Sequence, residues 1–321
     1  MKRDRLLLAV RIAAWGLVAA CVVVFARKLD WHQVYRAFEG VDLPLAALAS
    51  ALAIPCVALQ GLRWSAVVNG VRRVPRFTAV AANYVGQASA VFLPMRAGEA
   101  VRAGLLARAT GMGRATALGT VALDHSVNGL VMFAFAAVLP ALLPVPRWVA
   151  ITAWVGMGGA ISLVVTLLWL AKHPEAHVVP EKGRIAHAVA RARSGLMAAR
   201  NPRAVAQAAL FSALAWSVEI VVTMLALSAF NLTHDLPHAM GVLFGLNIAL
   251  AIPAPPASLG SFELGAGSAL VAFGGDAGHA AAFAIGLHAI QLLPALVMGG
   301  LMLSVFRRPV AALPPPGAQE A

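Results

Sequence analysis

Long apolar runs separated by short basic stretches dominate this chain. The first run, Leu6 to Phe25, follows Lys2, Arg3 and Arg5. It is longer than the usual secretory h-region, and no small-residue cleavage site precedes Arg27, so it reads as a retained helix in which Arg11 can snorkel to the headgroups. Further runs cover Leu43 to Leu62, Ala115 to Leu139, Trp148 to Leu170, Ala204 to Phe230 and Gly278 to Val305. Each can cross roughly 30 Å of hydrocarbon at about 1.5 Å per residue. The pattern predicts six full spans, the second bent at Pro55 and closed at the interface by Arg63 and Trp64.

Two apolar stretches are broken. Phe77 to Met95 meets Pro94 and runs into Arg96, Gly98, Glu99 and Arg102, while Gly241 to Gly275 is interrupted by Pro253, Pro255, Pro256 and Gly260. Proline removes a backbone donor and clashes with the preceding turn, so neither stretch reads as one regular helix.

Composition narrows the class. Of 321 residues, 60% are hydrophobic and 12% charged, with a mean hydropathy of +0.81. A soluble domain is close to one-quarter charged, so this is an integral membrane protein. Cys21 and Cys56 both lie in apolar runs, which excludes a disulfide scaffold. The net charge of +12 is spread over short inter-span stretches, without the basic-aromatic domain that a polynucleotide needs.

Charge placement sets the topology. With the N-terminus inside, the interior face holds twenty Lys and Arg, while Arg27, Lys28, Arg36 and Arg147 lie opposite. This bias survives only if both broken stretches turn back within the bilayer. The expected fold is therefore an all-α polytopic membrane protein with six spans, two oppositely oriented re-entrant hairpins and cytoplasmic termini. Residues 1–170 form an N-terminal half with a hairpin at about 77–108. A basic connector covers 171–203, with Ile185, Val189, Leu196 and Met197 on one apolar side. Residues 204–308 form a second half with a hairpin at about 240–275, and 309–321 a disordered tail. Broken segments at corresponding positions in two halves point to an inverted-repeat transporter with its site at the breaks. Such breaks persist in hydrocarbon only where protein or a wet cavity satisfies the backbone.

The candidate site follows from polar groups embedded in apolar sequence. Asp124 and Asn128 share a helix face, and an intramembrane acid is costly unless it is paired or functional. Its structural alternative is a pair with Arg63, Arg96 or Arg102. Glu99 and Glu263 each follow a Pro/Gly break. They can flank a headgroup held by Arg96 and Arg102, or cap the broken helix ends, and both readings stand together. Gly98, Gly260 and Gly265 allow close backbone approach. Glu219 is either a proton-coupling acid or helix-helix glue, and His288 and Gln291 read as core packing. No metal-ligand cluster, Ser-His-Asp order, Walker loop, dinucleotide fingerprint or CxxC is present, so neither cofactor, metal nor catalysis is predicted.

The stretches LPMRAGEAVRAGLLAR (93–108), ALDHSVNGL (122–130) and IPAPPASLGSFELG (252–265), with QGLRW (60–64), resemble the transmembrane, flippase-like region of lysylphosphatidylglycerol synthases, whose stand-alone relatives include members associated with hopanoid biosynthesis. The resemblance implies a multi-pass protein of the bacterial inner membrane that moves a phospholipid or other polar-headed lipid between leaflets. The synthases' aminoacyl-transferase domain has no counterpart in this sequence. Family members often carry arginine where His125 stands and aspartate where Asn128 stands, which implies a different headgroup or a weaker charge requirement here. Lipid is the expected partner, a lipid-modifying enzyme of the same membrane a second, and the oligomeric state is open. The competing expectation is a non-transporting scaffold or lipid-delivery partner of a biosynthetic complex.

Overall fold

The computed structural model describes residues 31–93, 97–142, 147–172, 194–250 and 256–307, and these are helical almost throughout. The expected first span, Pro94, Arg96, Pro253, Pro255, most of the connector and the tail lie outside the described residues.

After a short helix α1 (Trp31–Glu39), the chain forms α2 (Leu43–Asn69), α3 (Arg76–Phe92), α4 (Ala97–Thr110), α5 (Arg114–Leu142) and α6 (Arg147–Lys172). A 3₁₀ turn at Met197–Arg200 leads into α7 (Pro202–Ala229), α8 (Leu236–Leu250), a second turn at Pro256–Ser258, α9 (Ser261–Ala272) and α10 (Ala277–Arg307). Four described helices are long and apolar enough to cross a membrane: Leu43–Asn69, Arg114–Val138, Pro202–Ala229 and Ala277–Phe306. Many of their large side chains face outward, among them Leu210, Leu214, Leu293, Val297 and Leu301. In water such a surface would aggregate, whereas in lipid it is the ordinary exterior of a span.

One expectation at α2 is corrected. The helix runs two turns beyond Leu62, and Arg63 and Trp64 are 5% and 0% exposed, buried in the bundle rather than placed at an interface. The helix is also continuous through Pro55. Carbonyls flanking that proline are occupied by neighbours: Tyr84 Oη donates to Ile54 O at 2.6 Å and Asn83 Nδ2 to Val57 O at 3.1 Å. Side chains of α3 thus satisfy backbone groups of α2 where lipid could not.

The order long, short, short, long occurs twice, as α2 to α5 and as α7 to α10. The two copies run in opposite directions. Asp42 N–H donates to Ala229 O, Cys56 Sγ contacts Ala215 O, and Gly70 abuts Ala198 and Ala204, so α2 and α7 are antiparallel along their whole length. Each copy contributes a tight helical hairpin, α3/α4 and α8/α9. In the first, Gly98 packs on Gly86 and Ala90; in the second, Gly265 packs on Gly245 and Ala249. A Cβ at Gly98 would lie 2.2 Å from Gly86 O, so these backbones approach as closely as glycine allows. Because the first hairpin follows the end of α2 and the second the end of α7, they enter the bundle from opposite ends. The 256–258 turn reaches α3 of the other hairpin.

Both ends of this arrangement are held by local chemistry. Asp42 caps α2 by accepting from Leu45 N–H at 3.0 Å, and Asn201 caps α7 by accepting from Arg203 and Ala204, each with proline in the first turn. The core of the second half is built around Phe230, Phe283, Leu227 and Leu287, and that of the first around Trp64, Leu106 and Val68.

Candidate functional site

A cavity of about 330 Å³ opens between the two hairpins. Polar side chains from both halves line it: Gln60, Gln87, Glu99, His125 and Asn128 from the first, Glu219, Asn247, His288 and Gln291 from the second.

A buried ion network forms part of the first-half wall, with Arg63, Asn83 and Arg102 bordering the cavity and Asp124 beneath them. Arg63 Nε donates to Asp124 Oδ1 at 2.7 Å and its Nη2 to Oδ2 at 3.2 Å, while Nη1 reaches Asn128 Oδ1. Arg102 donates from Nη2 to Asp124 Oδ2 at 3.1 Å, from Nη1 to Asn83 Oδ1 at 2.9 Å and from Nε to Glu99 Oε2 at 2.5 Å. Its guanidinium stacks 4.6 Å from the Trp64 ring centroid, and Trp64 Nε1 donates to Thr120 Oγ1. Asp124 is fully buried and shared by two arginines. Two cations against one deeply buried acid, with Glu99 at the edge, give each charge a partner, which burial requires. Asn128 also accepts from Ser212 and Trp216 of α7, tying the network to the other half.

Glu99 extends this network to the cavity, where Oε1 lies 3.2 Å from His125 Nε2. Both side chains are part-exposed, 34% and 40%.

The second-half wall is built differently. Gly260, at φ +81°, and the left-handed Ala257 and Ser258 make the turn into α9. Glu263 accepts the Gly260 N–H at 2.7 Å, and its other oxygen lies 2.6 Å from His288 Nδ1. His288 stacks on Phe262, with centroids 4.2 Å apart. Glu263 thus caps the broken helix, as one of the two readings from sequence has it. It sits behind His288, which faces the cavity. Glu219 pairs with Cys56 Sγ at 3.0 Å and accepts from Gln291 Nε2.

The candidate residues therefore separate. Glu99, Arg102 and Asn128 border the cavity, Asp124 lies beneath it, Glu263 backs its opposite wall, Gly98 packs the first hairpin and Gly260 makes the second turn. Arg63, Asn83, Gln60, Gln87, Asn247, His125, His288 and Gln291 were not singled out as site residues by sequence. His288 and Gln291 are buried as expected, but their contacts are polar ones to Glu263 and Glu219.

Register accounts for much of this. Counting from each helix start, the cavity residues Gln60 and Glu219 occupy the same position in α2 and α7, and Gln87 and Asn247 in α3 and α8. Glu99 and Glu263 are each third in α4 and α9. His125 and His288 are each twelfth, and Asn128 and Gln291 each fifteenth, in α5 and α10. Five polar positions recur across the inverted repeat.

The profile of the lysylphosphatidylglycerol synthase transmembrane region matches residues 6–299. The chain belongs to this family. No curated protein and no solved structure matches it at a significant level. The match is to the membrane part of the synthase, and with four long apolar helices it makes this chain a multi-pass, lipid-handling membrane protein of flippase-like character.

Proposed function

We propose that the protein is a lipid translocase that moves a polar-headed lipid between the leaflets of the bacterial inner membrane. The observation that carries the reading is a polar cavity lined from both halves of an inverted repeat at the tips of two opposed hairpins. About 330 Å³ suits a lipid headgroup and not its tails, which stay in the bilayer. The hairpin helices have 17, 14, 15 and 12 residues, or roughly 18 to 26 Å at 1.5 Å per residue. That is short of the hydrocarbon thickness, which supports re-entrance from opposite faces.

In this reading Leu6 to Phe25 and α6 complete six spans, and both termini are cytoplasmic. Arg72, Arg73, Arg76, Arg108, Arg114, Arg200, Arg203 and Arg307 all fall at helix ends or turns on that face. Glu99, His125, Asn128, Gln87 and Gln60 receive the headgroup on one wall; His288, Gln291, Asn247 and Glu219 receive it on the other. Arg63, Arg102 and Asp124 hold the first wall in shape, their bonds being spent on one another and on Asn83, Glu99 and Asn128.

The test is leaflet exchange of fluorescent phosphatidylglycerol and phosphatidylethanolamine in vesicles containing the purified protein, followed by dithionite quenching. The expected result is protein-dependent exchange that Glu99→Ala and His288→Ala each slow by at least tenfold. Full exchange in both variants overturns the site. No exchange of either lipid by the folded wild type, together with co-purification of a stoichiometric lipid-modifying enzyme, favours a scaffold instead.

A further inference from the structure

The register match pairs one acid and one imidazole in each half. Glu99–His125 and Glu263–His288 come from the same positions of corresponding helices, at 3.2 Å and 2.6 Å. Both imidazoles border the same cavity. The pairs differ in access: 40% and 34% exposure for His125 and Glu99, against 8% and 6% for His288 and Glu263. In an inverted repeat, an open member and a closed member of one matched pair are what alternating access from two sides produces.

The charges around the cavity give the pairs a task. Arg63 and Arg102 stay protonated at any working pH and are faced by two carboxylates, Glu99 and Asp124, while a third, Glu263, lies against His288 on the opposite wall. Glu219 adds a fourth acid, bonded to Cys56 and Gln291 with no cation among the described residues. Imidazole is the side chain best suited to taking up and releasing protons, and His125 and His288 both border the cavity. The groups facing them from packed elements are few. Around Glu99–His125 these are Arg102 and Asp124 alongside, Asn83 of α3 and Arg63 of α2. Around Glu263–His288 they are the Gly260 N–H and, one turn along α10 through Gln291, Glu219 of α7, which also holds Cys56 of α2.

We propose that the two carboxylate–imidazole pairs are symmetry-related proton sites, and that the protein exchanges protons for lipid headgroups across the membrane. The inference rests on the translocase reading above. A proton binds the exposed pair from water on one side. The proton passes across the shared cavity to the matched pair, and when the hairpins rearrange and exposure shifts to that pair, it leaves to water on the other side while the headgroup travels the opposite way. Only N–H and O–H bonds form and break, and no co-reactant is needed.

The experiment uses the full chain in vesicles with a trapped pH-sensitive dye and fluorescent phosphatidylglycerol or phosphatidylethanolamine, with and without a one-unit pH gradient. Exchange without a gradient tests the translocase reading alone; its absence for the folded protein removes both claims. With exchange present, one-for-one coupling shifts the steady leaflet distribution up to tenfold per pH unit, accompanied by dye-detected proton flux. A distribution indifferent to the gradient, with no proton flux, overturns proton exchange and leaves translocation standing. His125→Gln and His288→Gln are each expected to abolish the tenfold shift, with the double variant no worse than either single one. A shift that survives in either variant, or losses that add in the double, contradicts the paired-site assignment.

Discussion

The two walls of the cavity present matched polar groups on unlike supports. On the first-half wall, Arg63, Asn83, Arg102 and Asp124 form a buried ion network. The same helix positions in the second half hold Val222, Leu243, Ala266 and Leu287, all buried and apolar. Yet Glu99–His125 and Glu263–His288 keep one register and one kind of contact. Five polar positions are shared, and what supports them differs: charge pairing that itself reaches the cavity at Arg63, Asn83 and Arg102 on one side, packing and a helix cap on the other. A support can therefore be exchanged for another of a different physical kind, provided that it holds the same side chains toward the cavity.

That difference is open to direct attack, beginning with Asp124. Its replacement by Leu, the residue at the matched position, leaves Arg63 and Arg102 buried without their shared acid. The expected cost is about 3–5 kcal/mol, measured by thermal or denaturant unfolding in detergent. Adding Arg63→Met and Arg102→Met makes the wall apolar like its counterpart, and most of that loss should return. A triple variant as unstable as Asp124→Leu would show that the walls are not interchangeable in kind.

The acids should separate next. Glu263→Ala strips the Gly260 N–H and His288 of their buried partner, for an expected loss of about 2–3 kcal/mol. Glu99→Ala removes a part-exposed acid, for about 0.5–1 kcal/mol. Equal losses would erase the contrast between a closed and an open pair. Within α4, Gly98→Ala forces a Cβ against Gly86 O and should cost about 1–3 kcal/mol, whereas Gly104, with open space around it, should gain up to about 1 kcal/mol as alanine.

A comparably small effect concerns a cap present in one half only. Asp276 precedes α10 and accepts from His279 N–H at 3.0 Å, and Gly113 stands at the matching place before α5. That backbone hydrogen bond holds the Asp276 carboxyl below its ordinary range. Its contribution to stability is thus present above the ordinary carboxylate pKa and is lost as pH falls through the lowered one. Asp276→Ala should cost about 1 kcal/mol and flatten that part of the acid-unfolding profile.

Much of this molecule was legible in its residues. Apolar run length located the described long helices, and Pro-Gly breaks before Glu99 and Glu263 located both hairpins. Asp124 was read as a headgroup-site acid with an arginine pair as the alternative, and it pairs with two arginines. Other features depend on geometry that local sequence does not carry. Arg63 closes an apolar run and looks interfacial, but α2 continues and turns it inward. His288 and Gln291 sit among apolar neighbours and look like core until α9 and α7 bring Glu263 and Glu219 to them. The matched registers emerge only once every helix start is known, since an error of one residue erases them. Gly241 and Gly245, four apart and packed against Phe273 and Ala269, were a readable close-packing signal that the sequence reading passed over.

Sided labelling of single cysteines, introduced after Cys21 and Cys56 are replaced, is the most direct check that two hairpins dip into the bilayer from opposite faces. Probes at Arg73 and Gly113 should react with an impermeant maleimide from the cytoplasmic face, and probes at Asp235 and Gly274 from the other. If Arg73 and Gly113 label from opposite faces, or Asp235 and Gly274 do, the hairpins are full crossings and the shared cavity cannot be what joins the two sides.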